Sequence, residues 1–289
     1  MSTDRIQLVK ELHKPIRRNY PRQRTIINGL DDLWQMDLAE MRPYARHNRG
    51  FKMILVVIDC FSKFVWTRPL KTKTAEDITG AFSSIIRCGR MPKNLQSGQE
   101  TEFYNTKFKT LMKKHNINHY STFSTQKAAI AERVIRTIKM KLYKHFSLIG
   151  KYKWIDILPQ ITKEYNNTKH SKIEYKPSEV NQSNEKLILN KKFIYLKIAG
   201  PRKLNVGDIV RISKAKHTFE KGYTPNFTSE LFKITKVKIT NPVTYLIEDM
   251  NGSPIRGCFY EEELQKTKNP NIYLLEKVLK RNRDIIYVK

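Results

Sequence analysis

With 289 residues the chain is long enough for two domains, and its 39% hydrophobic and 10% aromatic content belongs to a globular protein rather than a disordered one. Fifty-five Lys and Arg stand against 27 Asp and Glu, a formal net charge of +28. Such a chain repels itself, and a polyanion is the expected partner; nucleic acid comes first because each neutralised phosphate releases counterions. A packing protein of ribosomal or histone type, or a merely solubilising surface, is the other reading of the charge. No apolar run approaches the roughly 18 residues of a spanning helix, so no membrane partner is expected. Cys60, Cys88 and Cys258 are scattered without CxxC spacing, which excludes a classical zinc finger and reads as reduced packing residues.

Residues 1–24 carry Arg5, Lys10, Lys14, Arg17, Arg18, Arg22 and Arg24 against Asp4 and Glu11, with Pro15 and Pro21 interrupting, and read as a basic arm without stable structure. LWQMDLA (33–39) is a short strand. FKMILVVIDC (51–60) is a nearly continuous apolar run, the pattern of a strand buried on both faces, and FVWTRPL (64–70) is its hairpin partner, turned through Ser62 and Lys63. Thr74 caps a helix whose Ala75, Ile78, Ala81, Phe82, Ile85 and Ile86 share one face, stopped by Gly89 and Pro92. The strand KNLQS, a helix near 104–116, the strand NINHYS, a long helix over 127–148 and a helical stretch over 152–167 follow. Together they make a mixed α/β domain over 25–185.

Residues 186–202 read as a linker. From 203 to 266 the pattern turns to β, with strands at 208–213, 230–239, 244–250 and 255–264 and a tight hairpin at Asn251-Gly252, which suggests a small barrel. Residues 267–289 form a basic tail. There is no internal repeat and no low-complexity tract.

Two carboxylates stand out. Asp37 lies between Met36 and Leu38 in a core strand, where a carboxylate is costly unless paired or bound to a metal. Glu132 opens the long helix, and Arg136, Lys139 and Tyr143 follow it on the same face, while Ile130, Val134, Ile135, Ile138 and Leu142 would face the core. An acid followed by a row of cations suits a metal at one end and phosphates along the rest. It also suits an ordinary i, i+4 ion pair on a solvated helix.

The blocks WQMDLAEM, FKMILVVIDCFSKFVWTRPLKTKTAEDI, LQSGQETEFYN and HYSTFSTQKAAIAERVIRTIK resemble, in order, the retroviral-type integrase core, a ribonuclease H-like fold. YNNTKHSKIEYKPSEV (165–180) resembles the segment that closes it. LNVGDIVRISKAKHTFEKGYTPNFTSELFKI and ITNPVTYLIEDMNGSPIRGCFYEEELQK resemble the SH3-like barrel that follows in Maverick/Polinton-type transposon integrases. The resemblance implies a five-stranded mixed sheet with flanking helices followed by an SH3-like β-barrel. It also implies DNA integration by 3′-end processing and strand transfer, DNA partners (transposon ends and target), a homo-oligomer and a nuclear location. In that family three carboxylates hold two Mg²⁺ or Mn²⁺ ions. Position by position, Asp37 is the first and Glu132 the third, and Lys127, Arg136 and Lys139 become DNA contacts.

The second carboxylate is missing. Where the family pattern runs close to S-D-x-G-x-E-F-x-N, this chain reads Ser97-Gly98-Gln99-Glu100-Thr101-Glu102-Phe103-Tyr104-Asn105. Gly98 stands for the aspartate and Glu100 for the usual glycine. Glu100 and Glu102 are weak substitutes, since they lie about 6.5 Å or more along an extended chain while magnesium requires oxygens near 2.1 Å. The expectation is a centre with weak metal binding or none, and a protein that binds DNA better than it cuts it. A non-catalytic, decayed or domesticated DNA-binding or oligomerisation protein is the alternative. The His-His-Cys-Cys zinc module of retroviral integrases has no counterpart before Cys60, and NIYLLEKVLKRNRDIIYVK (271–289) resembles only the opening strand of a chromodomain.

Overall fold

The computed structural model describes every residue except 1–2, 18, 24, 99, 122–127, 194–199, 215–222, 273–277, 283–284 and 289, with the side chains of 192–193, 278, 281–282 and 285–288 also outside. Arg18, Arg24, Gln99 and Lys127 therefore lie outside the described residues. The chain divides into two compact units, Thr25–Tyr195 and, together, Met1–Arg24 with Leu196–Lys289.

In the first unit a five-stranded sheet runs in the order β3-β2-β1-β4-β5. Its strands are β1 (Leu33–Glu40), β2 (Met53–Asp59), β3 (Val65–Leu70), β4 (Asn94–Ser97) and β5 (Asn118–Ser121). β1, β2 and β3 pair antiparallel, whereas β4 lies parallel to both β1 and β5. Every residue of β2 is buried, as its apolar run predicts. Leu55 and Val57 point to one face, with Trp34, Met36, Phe82 and Phe108 of a first core. Ile54, Val56 and Ile58 point to the other, with Val134, Ile138, Leu142 and Trp154 of a second. The sheet thus sits between two helical layers. One holds α2 (Ala75–Ile86) and α3 (Thr106–Lys114), the other α4 (Ala129–Ile149) and α5 (Leu158–Asn167).

Local chemistry sets the ends of these helices. Thr74 caps α2 by accepting from the Asp77 N–H, and Asn105 caps α3 by accepting from the Phe108 N–H. α4 ends on Gly150 in the left-handed conformation (φ 64°). Trp154 and Trp66 are core residues, and Trp66 stacks 4.3 Å from Trp34 between ring centroids. The polar connection at 42–47 is a short 3₁₀ helix, and the stretch expected to be helical from 152 begins its helix only at Leu158.

The second unit departs from expectation at its start. The supposed unstructured arm contains α1 (Thr3–Leu12), with Leu8, Glu11 and Leu12 buried. Glu11 accepts from Thr267 Oγ1 at 2.9 Å and the Lys268 N–H at 3.1 Å, and the Leu12 carbonyl accepts from the Asn226 and Phe227 N–H groups. The strands β6 (Ile209–Ile212), β7 (Phe232–Lys238), β8 (Thr244–Asp249), β9 (Phe259–Tyr260) and β10 (Leu264–Lys266) form an antiparallel sheet in the order β10-β6-β7-β8-β9. That sheet is open: its described pairings leave β10 and β9 at the edges, so a closed barrel is not what they show. The last expected strand (255–264) is split, because a 3₁₀ turn at Glu261–Glu263 separates β9 from β10. The tail contains a two-stranded hairpin, β11 (Val278–Asn282) with β12 (Ile285–Val288), where one opening strand was expected. Cys60 is buried, but Cys88 and Cys258 are exposed and not the packing residues anticipated. Among the described residues no helix is long and apolar enough to cross a membrane.

Candidate active site and nucleic-acid face

Side chains alternate across a strand, so Gln35, Asp37 and Ala39 of β1 share one face. Ala39 belongs to the core under α4, which puts Asp37 on the α4 side. On that side Gln35 ties three elements together. Its Nε2 donates to Gln96 Oε1 of β4 at 3.0 Å, and its Oε1 accepts from the Ile130 and Ala131 N–H groups at 2.9 and 3.2 Å. Two of the first, otherwise orphaned N–H groups of α4 are satisfied by a strand side chain. The parallel register Leu33↔Asn94, Trp34↔Leu95, Gln35↔Gln96 runs to within two residues of Asp37 on β1 and of Gly98, which follows the end of β4 at Ser97. Gln35, which carried no expectation from the sequence, is therefore the residue that ties the strand of Asp37 to β4, which ends just before Gly98, and to the first turn of α4, which carries Glu132. The signal was available: a glutamine in an otherwise apolar strand, two residues before an aspartate.

Asp37 is half-buried, and its Oδ1 accepts from the Leu38 N–H at 2.8 Å. Glu132 is exposed on the first turn of α4. Gly98 is buried and is followed by a turn in which the Phe103 N–H donates to the Glu100 carbonyl. A Cβ built on Gly98 would stand 2.7 Å from Glu100 Cδ and 2.9 Å from its Oε1, with Oε2 nearer still. The Glu100 carboxylate thus occupies the space that a side chain at position 98 would enter. Glu102 is engaged elsewhere: Lys73 pairs with it, and that hydrogen bond holds its carboxyl below the usual carboxylate range. The rest of the motif is structural, since Phe103 is buried in the first core and Asn105 caps α3.

Asp59 is buried three residues back along the sheet, opposite Trp34. It accepts from Arg90 Nη2 at 2.5 Å, from Ser62 Oγ at 2.5 Å and from the Phe61 N–H at 3.1 Å. Burial pushes its pKa up against the pull of Arg90 and these hydrogen bonds. Arg90 also grips Asp31, at 2.6 Å. Asp59 is a structural acid.

α4 buries Ala131, Val134, Ile138, Leu142 and Phe146. Glu132 and Arg136 are exposed on its outer face, Lys139 is half-exposed, and Tyr143 is 46% exposed with its hydroxyl 3.1 Å from that of Tyr44. The acid and the cation row therefore share the free face of one helix. Ile130 and Ile135 are only partly buried, and Ala131 and Phe146 hold the core positions instead.

Asp37 on β1, Gly98 just after β4 and Glu132 on the first turn of α4 thus stand on three elements that Gln35 ties together. Residues 29–124 match the integrase core domain model. A transposon-derived protein of Caenorhabditis elegans is 30% identical over 193 residues, which is 66% of this chain and 65% of that protein. The Pol polyprotein of Radiation murine leukemia virus is 30% identical over 139 residues, 47% of this chain and 23% of the polyprotein. The chain thus spans less than two-thirds of the length of these relatives. A chain of the simian T-cell lymphotropic virus intasome, solved with the PP2A regulatory subunit B56 gamma, shares the fold. It matches with a TM-score of 0.61 and 13% identity, over 89% of this chain and 84% of that one.

The family that the model match points to implies divalent ions. Among the described residues no three His, Cys, Asp or Glu side chains are gathered closely enough to hold one ion. A Cβ at Gly98 would meet the Glu100 carboxylate, so the position of the missing aspartate is occupied by another residue's side chain, and the described residues do not gather a three-ligand centre.

Proposed function

We propose that this chain is an integrase-like protein of Maverick/Polinton type that binds DNA, both transposon ends and target, and carries out strand transfer weakly. One observation carries the reading: Gln35 joins β1, which bears Asp37, to β4 and to the start of α4, whose outer face bears Glu132, Arg136 and Lys139. Mg²⁺ or Mn²⁺, when bound, supplies charge stabilisation for in-line phosphoryl transfer. Asp37 and Glu132 are the residues of this chain that would hold it. Arg136 and Lys139 track the phosphates leading away from that point, which positions the backbone but reads no bases. Lys127 is proposed as a further DNA contact from the resemblance alone. Gly98 is the reason for weak transfer, because it removes one of three carboxylates from a two-metal centre.

The second unit supports the same reading. Its small five-stranded antiparallel sheet, in the order β10-β6-β7-β8-β9, is proposed to be the SH3-like module that the sequence resemblance implies. A homo-oligomer, which joining two ends to a target calls for, and a nuclear location complete the proposal.

The test is a salt titration of DNA affinity together with a strand-transfer assay in Mg²⁺ or Mn²⁺. Log affinity falls linearly with log salt, and Arg136→Ala and Lys139→Ala each lower the slope by about 1. A flat salt dependence removes the DNA-binding reading. Gly98→Asp raises strand transfer above wild type; a wild type that turns over as fast as the aspartate variant removes the impairment. No transfer in either protein, with DNA binding intact, leaves the non-catalytic DNA-binding alternative.

A further inference from the structure

We infer that Tyr44, Tyr143 and Tyr152 form a stacking platform for unpaired bases, set toward the end of α4 opposite Glu132. The inference rests on the DNA-binding reading above and deepens it by naming a single strand as the ligand of this face.

The rings are held rigidly. Tyr44 comes from the 3₁₀ helix at Arg42–His47, Tyr143 from α4 and Tyr152 from the connection between α4 and α5. They pack around the buried Phe146, with centroids 5.3, 5.5 and 5.6 Å from its ring. Tyr44 and Tyr152 stack on each other at 5.2 Å and 26°, and His47 lies 5.9 Å from Tyr152. Asn48, fully buried, joins the two segments. Its Nδ2 donates to the Tyr44 and Tyr152 carbonyls at 2.7 and 2.8 Å, and its Oδ1 accepts from the Trp154 and Ile155 N–H groups at 2.7 and 3.1 Å. The whole hydrogen-bonding capacity of a core amide thus goes into fixing the backbone that carries these tyrosines. Tyr143 and Tyr152 nevertheless stay 46% and 50% exposed. Rings so fixed offer flat faces at little entropic cost to whatever stacks on them.

Charge and position identify the ligand. Residues 42–49 hold three Arg and residues 139–153 five Lys, with no Asp or Glu in either stretch. Acids from outside engage Arg42, Arg49 and Lys141, but no described ion pair involves Arg46, Lys144, Lys151 or Lys153. The hydrogen bond with Tyr143 raises the pKa of Tyr44, and the charge of Lys139 opposes the rise, so the cation row that follows Glu132 runs up to the rings. Cations interleaved with open aromatic faces suit a single strand, with phosphates on the charges and bases on the rings. In a duplex each base face is covered by its neighbours, so only unpaired bases can use this surface. From Glu132 to Tyr143 α4 rises about 16 Å, the length of roughly five nucleotides of a strand that follows the row.

Wild type, Tyr152→Ala and Tyr152→Trp, all full length and checked for folding by circular dichroism, are titrated with oligo-dT and with a fully paired duplex of the same length. Tyr152→Ala lowers the affinity for oligo-dT by at least about fivefold, the smaller loss typical of one stacking contact, and Tyr152→Trp keeps it. Duplex affinity is the same in all three proteins, and the salt slope for oligo-dT does not change, because no charge is removed. An unchanged oligo-dT affinity in Tyr152→Ala, or an equal loss on both probes, overturns the inference. So does a changed sedimentation coefficient of the DNA-free variant with oligo-dT affinity intact, which assigns the rings to a contact between copies of the chain. Wild type that binds the duplex but not oligo-dT removes the platform alone; wild type that binds neither removes the DNA-binding reading with it.

Discussion

The acids in this sheet share a chemistry and differ by environment. Asp59 is fully buried, and only Arg90, Ser62 and the Phe61 N–H make its charge tolerable. Removing one member of a buried pair leaves the other charge uncompensated, so Arg90→Met should cost about 3–5 kcal/mol. The check is the urea midpoint, which falls at unchanged slope if only stability is lost; an unmoved midpoint makes the Arg90–Asp59 pair irrelevant to folding. His119 offers a test by pH. Its Nε2 is 2.8 Å from Ser97 Oγ, its ring stacks on Tyr104, and burial lowers its pKa to about 4. A histidine held neutral by the fold is protonated first in the unfolded chain, so stability is complete above the ordinary histidine range and declines as pH falls toward about 4. His170 adds to the same window. Thermal melts from pH 7 to 4 should show the decline, and His119→Gln should flatten it. Both assignments were hidden in the sequence because they depend on burial: nothing in the spelling of IDCFSK or NINHYS says which polar group ends up in the core.

At the scale of elements, the sequence was most informative where pattern and burial coincide. The all-apolar β2, the capped α2 and the two faces of α4 could be read directly, because each buries a periodic stripe that no tertiary contact has to explain. α1 could not. Its charges and the following prolines dominate the local composition, and its buried contribution is only Leu8, Glu11 and Leu12, one of them an acid. Glu11 earns burial through long-range partners, Thr267, Lys268 and, at 4.0 Å, Arg211, all more than 190 residues away in sequence. α1 is accordingly a structural element of the second unit, not only a cationic anchor. Glu11→Ala, which strands the Lys268 N–H and the Thr267 hydroxyl, should destabilise that unit by about 1–3 kcal/mol. Hydrogen exchange of the β6–β10 amides measures this. If exchange there is unchanged while DNA affinity falls, the helix is an arm after all.

For the whole molecule the governing quantity is the charge of +28. It is not confined to the termini. Residues 25–195 hold 30 Lys and Arg against 15 Asp and Glu, and the other unit holds 25 against 12. Both units carry a two-to-one excess of cations, so if the chain binds DNA as proposed, the α4 row is only part of the charge available to it. Self-repulsion of that size reaches across a domain at low ionic strength, where the screening length is about 30 Å at 0.01 M, and is cut to about 8 Å at 0.15 M. Salt therefore acts on the free protein and on its DNA complex with opposite sign. The free chain is relieved of repulsion as salt rises, and its melting temperature should increase. In the complex the phosphates already neutralise the surface, and bound DNA adds stability in proportion to its occupancy. Because log affinity falls with log salt, that increment shrinks over the same range. Differential scanning fluorimetry with and without a saturating duplex should give two curves that converge as salt is raised, the free protein climbing and the complex descending. Parallel curves would mean that the charge is balanced locally by ion pairs and that DNA is not the polyanion this surface is built to meet.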